Sequence, residues 1–214
     1  MNSLIDLYEK NKGIMTRFRK EFSNYSLNGP IIMELDKYFN QDIKLFIIGQ
    51  QTKGWCDEYD NIEALFKTYR DFNMGEKYRS TPFWDFARKI ENIIGIDNYS
   101  CAYSNINRYD NNGEEPKDIL LEKMKSLDFL LKEEIEIINP DICLFFINKK
   151  NDHRLQSLFP GVKFEAIDGL KFNDYAQIYH DLLPTKSFRF PHPAYIRRSG
   201  MENIFFTTMK EELF

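Results

Sequence analysis

The sequence predicts an α/β fold, specifically a three-layer α/β/α sandwich around a mainly parallel sheet of about four strands. Two short segments, 43–48 and 142–147, are almost continuously apolar, which is typical of strands covered on both faces. Segments of helical length separate the candidate strands, as the crossovers of a parallel sheet require. We therefore expect these two segments in the interior of the sheet. Hydrophobic residues make up 43% of the 214 residues, which suits one domain spanning 1–214.

The N-terminal part of this domain, residues 1–40, is predicted to be helical. Apolar residues recur at helical spacing over 1–23, which indicates one or two amphipathic helices. Asn28 and Gly29 break this pattern, and Pro30 can begin a short helix that runs to Asn40.

The rest of the chain alternates between strand and helix signals. Thr81 and Pro82 mark a helix start, and the apolar stripe behind them ends at Gly95. The other predicted elements are strands over 99–106 and 162–167, a short extended piece over 187–190, and helices over 116–138, over 151–159 and from about Met201.

Composition and motifs exclude several classes of protein. No run approaches the roughly 18 apolar residues of a membrane span, and the acidic N-terminus lacks the apolar core of a secretory signal. The cysteines Cys56, Cys101 and Cys143 share no short spacing, which excludes a disulfide framework and a cysteine-only zinc site. Neither a glycine-rich phosphate loop nor a nucleophile elbow occurs. We expect a cytoplasmic monomer with no cofactor, no metal and no membrane partner.

Charge is distributed unevenly along the chain. The 29 basic and 33 acidic residues give a net charge of −4, which alone argues weakly against nucleic-acid binding. Residues 114–141 are strongly acidic, whereas 184–200 carries basic residues and no acid. Such segregation can present one basic face to a phosphate backbone, or it can reflect a solvated helix that pairs with a basic loop. The basic residues are Lys186, Arg189, Arg197 and Arg198.

Unusual polar residues follow the predicted strands, where α/β folds bind their ligands. Gln50 and Gln51 come after Gly49, and Asn105 ends the second strand. An amide can bind the edge of a base or hold a water, but it cannot act as a general base. His192 lies between two prolines, which restrict the backbone and display the imidazole. It can be a general acid, a hydrogen-bond donor or a phosphate contact, or it can be a capping or surface histidine in a proline turn.

Aromatic residues near the predicted helix start could stack on a base. Phe83 and Trp84 follow Pro82, and Trp55 is another candidate. Ordinary core packing is the alternative interpretation for each. We expect Gln50 and Phe83 to converge with Asn105 and His192 on one pocket.

In chain order these pieces resemble the motifs of the uracil-DNA glycosylase superfamily. IKLFIIGQQTKGW (43–55) is similar to the strand and loop that carry the water-activating residue, and TPFWDFARKI (81–90) to the segment with the stacking phenylalanine. YSNINRYD (103–110) resembles the base-reading asparagine segment, INPDICLFF (138–146) the following core strand, and PHPAYIRRSG (191–200) the histidine loop. The resemblance covers about residues 43–200.

The resemblance implies a role for each residue in excising a base from DNA. Asn105 would read the edge of the uracil and Phe83 would stack on it. His192 would donate a hydrogen bond to the uracil oxygen as negative charge builds on the leaving base. Gln50 or Gln51 would occupy the water-positioning place. Arg197 and Arg198 would hold the phosphates beside the flipped nucleotide. With Lys186 and Arg189 of the same basic segment, they are the expected contacts to single-stranded or damaged duplex DNA.

The chain departs from the family at the catalytic loop. Gln50 and Gln51 stand where members carry Asp, Glu or Asn, Thr52 and Lys53 replace the loop's proline, and Ala194 replaces the serine of the histidine loop. Without an acid the loop supplies no charge to the cationic transition state. The sequence therefore predicts either a DNA glycosylase of weak or unusual activity, or a non-catalytic module of the same fold that binds a base or a nucleic acid.

Overall fold

The computed structural model describes residues 3–56 and 61–214. The α-helices in this part of the chain are α1 (Leu4–Glu21), α2 (Ile62–Phe72), α3 (Pro82–Ile94), α4 (Asp118–Met124), α5 (Asp128–Ile138), α6 (Asp152–Leu158), α7 (Pro193–Arg198) and α8 (Glu202–Leu213). The strands are β1 (Leu27–Asn28), β2 (Leu45–Gly49), β3 (Ala102–Asn105), β4 (Asp110–Asn111), β5 (Ile142–Phe146), β6 (Lys163–Glu165), β7 (Ala176–Tyr179) and β8 (Lys186–Phe190).

Six of these strands form one sheet with the order β3-β2-β5-β8-β7-β6. The central strand β5 pairs in parallel with β2 on one side and with β8 on the other, and Phe146 lies opposite Phe190. The last two strands of the order, β7 and β6, are antiparallel. Every residue of β2 and β5 is buried, as expected for strands with apolar side chains on both faces.

The α/β class, the mostly parallel sheet and the interior positions of β2 and β5 are thus confirmed. The sheet has six strands rather than about four. The difference arises from β7, which the sequence analysis missed, and from β8, which is a full interior strand rather than a short extended piece. The three-layer arrangement stays a prediction.

The predicted helix over 30–40 is wrong apart from one 3-10 turn at Tyr38–Asn40. The segment that replaces it is non-helical, and the apolar side chains of Ile31, Ile32 and Met33 are all buried. A surface helix can bury only one stripe of its residues, so three consecutive buried side chains suit an extended segment better. The helix predicted over 116–138 is interrupted by a 3-10 turn at Lys125–Leu127, where the Ser126 hydroxyl donates to the Lys123 carbonyl at 2.8 Å.

The chain divides into two compact units. Unit 1 comprises Met1–Glu34, Gly49–Asn73 and Ser104–Ile138, and unit 2 comprises Leu35–Ile48, Met74–Tyr103 and Asn139–Phe214. Within unit 2, α3, α7 and α8 pack against one another. The single domain expected from the sequence stays a prediction. In the described part of the chain, no helix is both long enough and apolar enough to cross a bilayer.

Unit 1 is held together by α1 packing on α2 and α5 and by a buried ion pair. Arg108 donates two hydrogen bonds to Glu134, at 2.7 and 3.0 Å, and both side chains are at most 3% exposed. Tyr8 of α1 donates to the same carboxylate at 2.7 Å. Burial, followed by the charge of Glu134, raises the pKa of Tyr8 well above its ordinary value. Because these buried polar groups bond to one another, each has a partner, and the network holds the segment that follows Asn105 in place.

Candidate functional site

The loop after β2 and the segment after β3 lie side by side in unit 1. The backbone N–H of Ile106 donates to the Gly49 carbonyl at 3.0 Å, and that of Asn107 donates to the Gln50 carbonyl at 2.9 Å. Gln50 and Gln51 are half-buried, and Asn105 is 1% exposed. These amides therefore lie at the ends of β2 and β3.

Several side-chain atoms in this group are buried without a hydrogen-bond partner among the described residues. They are Nε2 of Gln50, Oε1 of Gln51 and Oδ1 of Asn107. An unsatisfied buried polar atom is unfavourable, so native proteins keep few of them. Their presence beside the end of β2 marks this loop as a candidate for binding a polar group. Asn107 lies in the polar segment after β3 that the sequence singles out, but no role was predicted for it.

A buried carboxylate fixes the shape of the glutamine loop. Oδ2 of Asp110 accepts hydrogen bonds from the Thr52 hydroxyl at 2.6 Å and from the Gly54 N–H at 2.9 Å. Its other oxygen accepts from the Asn28 amide at 2.8 Å and from the Gly113 N–H at 2.6 Å. Both oxygens are therefore occupied by donors that hold the fold. Asp110 thus places an acidic side chain next to the loop. Its carboxylate holds the loop in position and has no free oxygen to offer a ligand.

In unit 2, Phe83 and His192 lie against each other. Their ring centroids are 5.7 Å apart, and Phe83 also contacts Tyr103 and Phe146 at 5.6 and 5.8 Å. Phe83 is half-buried in the first turn of α3, whereas the neighbouring Trp84 is 7% exposed and packs as core. The structure thus brings together two of the four residues that were expected to share a pocket. These aromatic contacts hold the Phe83 ring, while the residue as a whole is only half-buried.

His192 caps the N-terminus of α7, and this role determines which ring nitrogen carries the proton. Nδ1 accepts the backbone N–H of Ala194 at 3.1 Å. In the neutral imidazole the proton therefore sits on Nε2, which has no hydrogen-bond partner among the described residues. His192 is exposed as a residue, yet its ring is partly enclosed. This partial burial, and secondly the positive charge of Arg198, lower the pKa of His192.

Most of the predicted phosphate contacts have other partners. The Arg189 guanidinium is 1% exposed, donates to the carbonyls of Asn173 and Phe172 at 3.0 and 3.3 Å, and lies 3.1 Å from Asp152. Burial lowers the pKa of Arg189. This placement is a correction to its predicted role, because a guanidinium enclosed in unit 2 presents no charge to a phosphate outside. Lys186 likewise donates to the Leu213 carbonyl.

Arg197 and Arg198 differ although they are neighbours on α7. Arg197 forms ion pairs with Asp85 and Glu202, and the hydrogen bond that it donates to Glu202 is the leading reason for the raised pKa of Arg197. Arg198 is exposed and has no ion-pair partner in the described ranges. Of the predicted basic residues, Arg198 is therefore the one with its charge available.

Two groups of predicted site residues thus emerge, Gln50, Gln51 and Asn105 in unit 1 and Phe83 with His192 in unit 2. Their convergence on one pocket stays a prediction. Among residues 3–56 and 61–214, no cluster of three or more His, Cys, Asp or Glu side chains could hold a metal ion. No protein-family model matches the chain, and no curated protein matches its sequence.

Proposed function

We propose that this protein recognises a nucleobase in DNA and hydrolyses its N-glycosidic bond, as a divergent relative of the uracil-DNA glycosylases. The base would be uracil or another damaged or mismatched base, recognised after it has left the stack. In the reaction, the bond between the sugar carbon and the base nitrogen breaks and the base leaves with the bonding electrons as an anion. Water adds its hydroxyl group to the sugar carbon, and the remaining proton of the water ends on the released base.

The observation that carries this proposal is the contact between Phe83 and His192. A partly exposed aromatic ring offers a stacking surface for a base. Beside it, the imidazole has Nδ1 occupied and directs its remaining N–H away from the Ala194 backbone. A donor of this kind suits a carbonyl oxygen on which negative charge develops. Asn105 would bind the edge of the base, and Gln50 or Gln51 would orient the water.

A second candidate function, binding without catalysis, is favoured by the loop after β2. Gln50 and Gln51 carry no charge, and both oxygens of Asp110 are already bonded to the fold. The described residues therefore bring no free carboxylate to this loop. A module of this kind would hold a base or a DNA strand without breaking the glycosidic bond.

A single-turnover assay on uracil-containing oligonucleotides distinguishes the two functions. We expect slow release of free uracil by the wild type, faster from single-stranded or mismatched DNA than from a matched duplex, because flipping costs least there. His192→Ala should lower the rate, whereas His153→Ala, which changes an exposed histidine of α6, should not.

Binding to a duplex with an abasic site provides the second arm. Binding without base release in any variant would favour the non-catalytic module. If the protein neither releases a base nor binds the abasic-site duplex, both functions are rejected.

A further inference from the structure

Asn148 connects the end of the central strand to the histidine loop. It lies two residues after β5, and its backbone N–H donates to the carbonyl of Phe190 at 3.0 Å. Ile147 donates to the same carbonyl at 3.1 Å. Phe190 is the last residue of β8, so the chain leading to His192 leaves the sheet directly beside Asn148.

The Asn148 side chain then holds the loop itself. Its Oδ1 accepts the backbone N–H of His192 at 3.2 Å. Pro191 and Pro193 have no N–H, so His192 supplies the only backbone donor of residues 191–193. Asn148 takes that donor. The backbone of His192 is thereby fixed on the same residue whose imidazole contacts Phe83.

The backbone of Asn148 adopts a conformation that favours glycine. Its φ is 61° and its ψ is 154°, a region that residues with a side chain occupy rarely. Glycine would fit this turn without strain but would leave the His192 N–H without its acceptor. The turn itself does not require an asparagine side chain. What this side chain adds is the hydrogen bond to the backbone of His192.

We propose that Asn148 is a positioning residue, which acts through His192 by holding its backbone so that the imidazole keeps Nδ1 on Ala194 and its ring against Phe83. The role in base recognition rests on the proposed function, whereas the effect on the histidine loop does not. Asn148 itself need not touch a ligand. Removal of the Asn148 side chain should therefore change base release or base binding only through its effect on His192.

The test compares Asn148→Gly with Asn148→Asp. Glycine suits the backbone and removes the acceptor, whereas aspartate keeps an acceptor oxygen. In Asn148→Gly we expect the hydrogen-exchange protection of the His192 and Ala194 amides to fall about tenfold, the effect of losing one modest hydrogen bond. We also expect ¹⁵N NMR, at a pH where the imidazole is neutral, to show a mixture of ring tautomers. Asn148→Asp should retain the protection and the single tautomer. Asn139→Gly, at another left-handed asparagine, is the control.

A double-mutant cycle provides the functional arm. Asn148→Gly should lower base release or base binding in the wild-type background and have no further effect in His192→Ala. Lost amide protection together with no base release or binding in any protein would support the positioning role and reject the proposed function alone. Unchanged protection and an unchanged tautomer in Asn148→Gly would overturn the inference, whatever the activity.

Discussion

The carboxylate of Asp110 accepts a hydrogen bond from the hydroxyl of Thr52, at 2.6 Å, across 58 positions of sequence. Through this contact and the Gly54 N–H, the two-residue strand β4 determines the course of the loop that carries Gln50 and Gln51. The glutamine loop is therefore not free to adopt whatever shape its own sequence prefers. Its conformation depends on a side chain from a distant segment.

Asp110→Asn should destabilise the protein more than Thr52→Val does. All contacts of Asp110 are donors, so either orientation of an asparagine amide turns its NH₂ group toward two of them. At about 1–3 kcal/mol for each unsatisfied buried group, we expect a loss of about 2–6 kcal/mol in the free energy of unfolding. Thr52→Val removes one donor and should cost about 1–3 kcal/mol. Urea denaturation measures both, with Asp36→Asn as an exposed control. Equal stability of Asp110→Asn and wild type would contradict this account.

The lowered pKa of His192 predicts a specific dependence of stability on pH. In the unfolded chain the imidazole titrates at its usual value of about 6.5, and in the folded protein it titrates lower. Between these values the unfolded state binds more protons, so stability is present above pH 6.5 and falls as the pH decreases toward the folded pKa. NMR titration of His192 should give a pKa below 6.5. Arg198→Ala should raise that pKa, because it removes the nearby positive charge. A pKa at or above 6.5 in the wild type would contradict the partial burial of the His192 ring.

Prediction from sequence succeeded where one chain segment carries the whole signal. The strands β2 and β5 are buried on both faces, so their apolar runs identify them without knowledge of the partners. Helix α3 was equally readable from Pro82 at its first position and Gly95, in the left-handed conformation, at its end. Strand β7 and helix α2 were missed although β7 alternates in burial and α2 has Asn61 as a capping side chain.

Prediction failed where a residue's role depends on a partner far along the chain. Arg189 and Arg198 look alike in the sequence. The structure shows that Arg189 is bound by Asp152 and by two backbone carbonyls, so its charge is not available to a phosphate. Asn148 gives no local signal, because its contact with His192 joins residues 44 positions apart. The positions of Gln50 and Asn105 at strand ends could thus be predicted from the sequence, whereas the contacts that Arg189 and Asn148 make could not.

DNA binding, if electrostatic, should depend on Arg198 more than on Arg197. Each phosphate contact on duplex DNA contributes about −0.9 to the slope of log K against log salt concentration. Arg198→Ala should therefore flatten the slope by about 1. Arg197 is engaged by Asp85 and Glu202, so Arg197→Ala should leave the slope close to that of the wild type. Fluorescence anisotropy with a labelled duplex at several salt concentrations measures the slopes. The opposite ranking would show that Arg197 leaves its ion pairs to bind phosphate.

A negative charge in the glutamine loop should accelerate base release. Oε1 of Gln51 is buried and has no hydrogen-bond partner among the described residues. Gln51→Glu preserves the shape of this side chain and adds a negative charge, which favours the cationic sugar of the transition state. One preorganised electrostatic partner is worth roughly 10²–10³ in turnover, so we expect uracil release to rise by up to that factor. Because the new carboxylate would be partly buried, we also expect a lower free energy of unfolding than in the wild type.

The matched variants for this experiment are Gln50→Glu and Gln156→Glu. Gln50→Glu tests which glutamine occupies the water-positioning place, since only the variant that places charge there should accelerate the reaction. Gln156 is exposed on α6, outside this loop, and its variant controls for added negative charge. Single-turnover rates on single-stranded and mismatched substrates are the measurement. If neither loop variant releases base while both still bind an abasic-site duplex, the loop is not a degenerate catalytic loop, and the protein acts by binding.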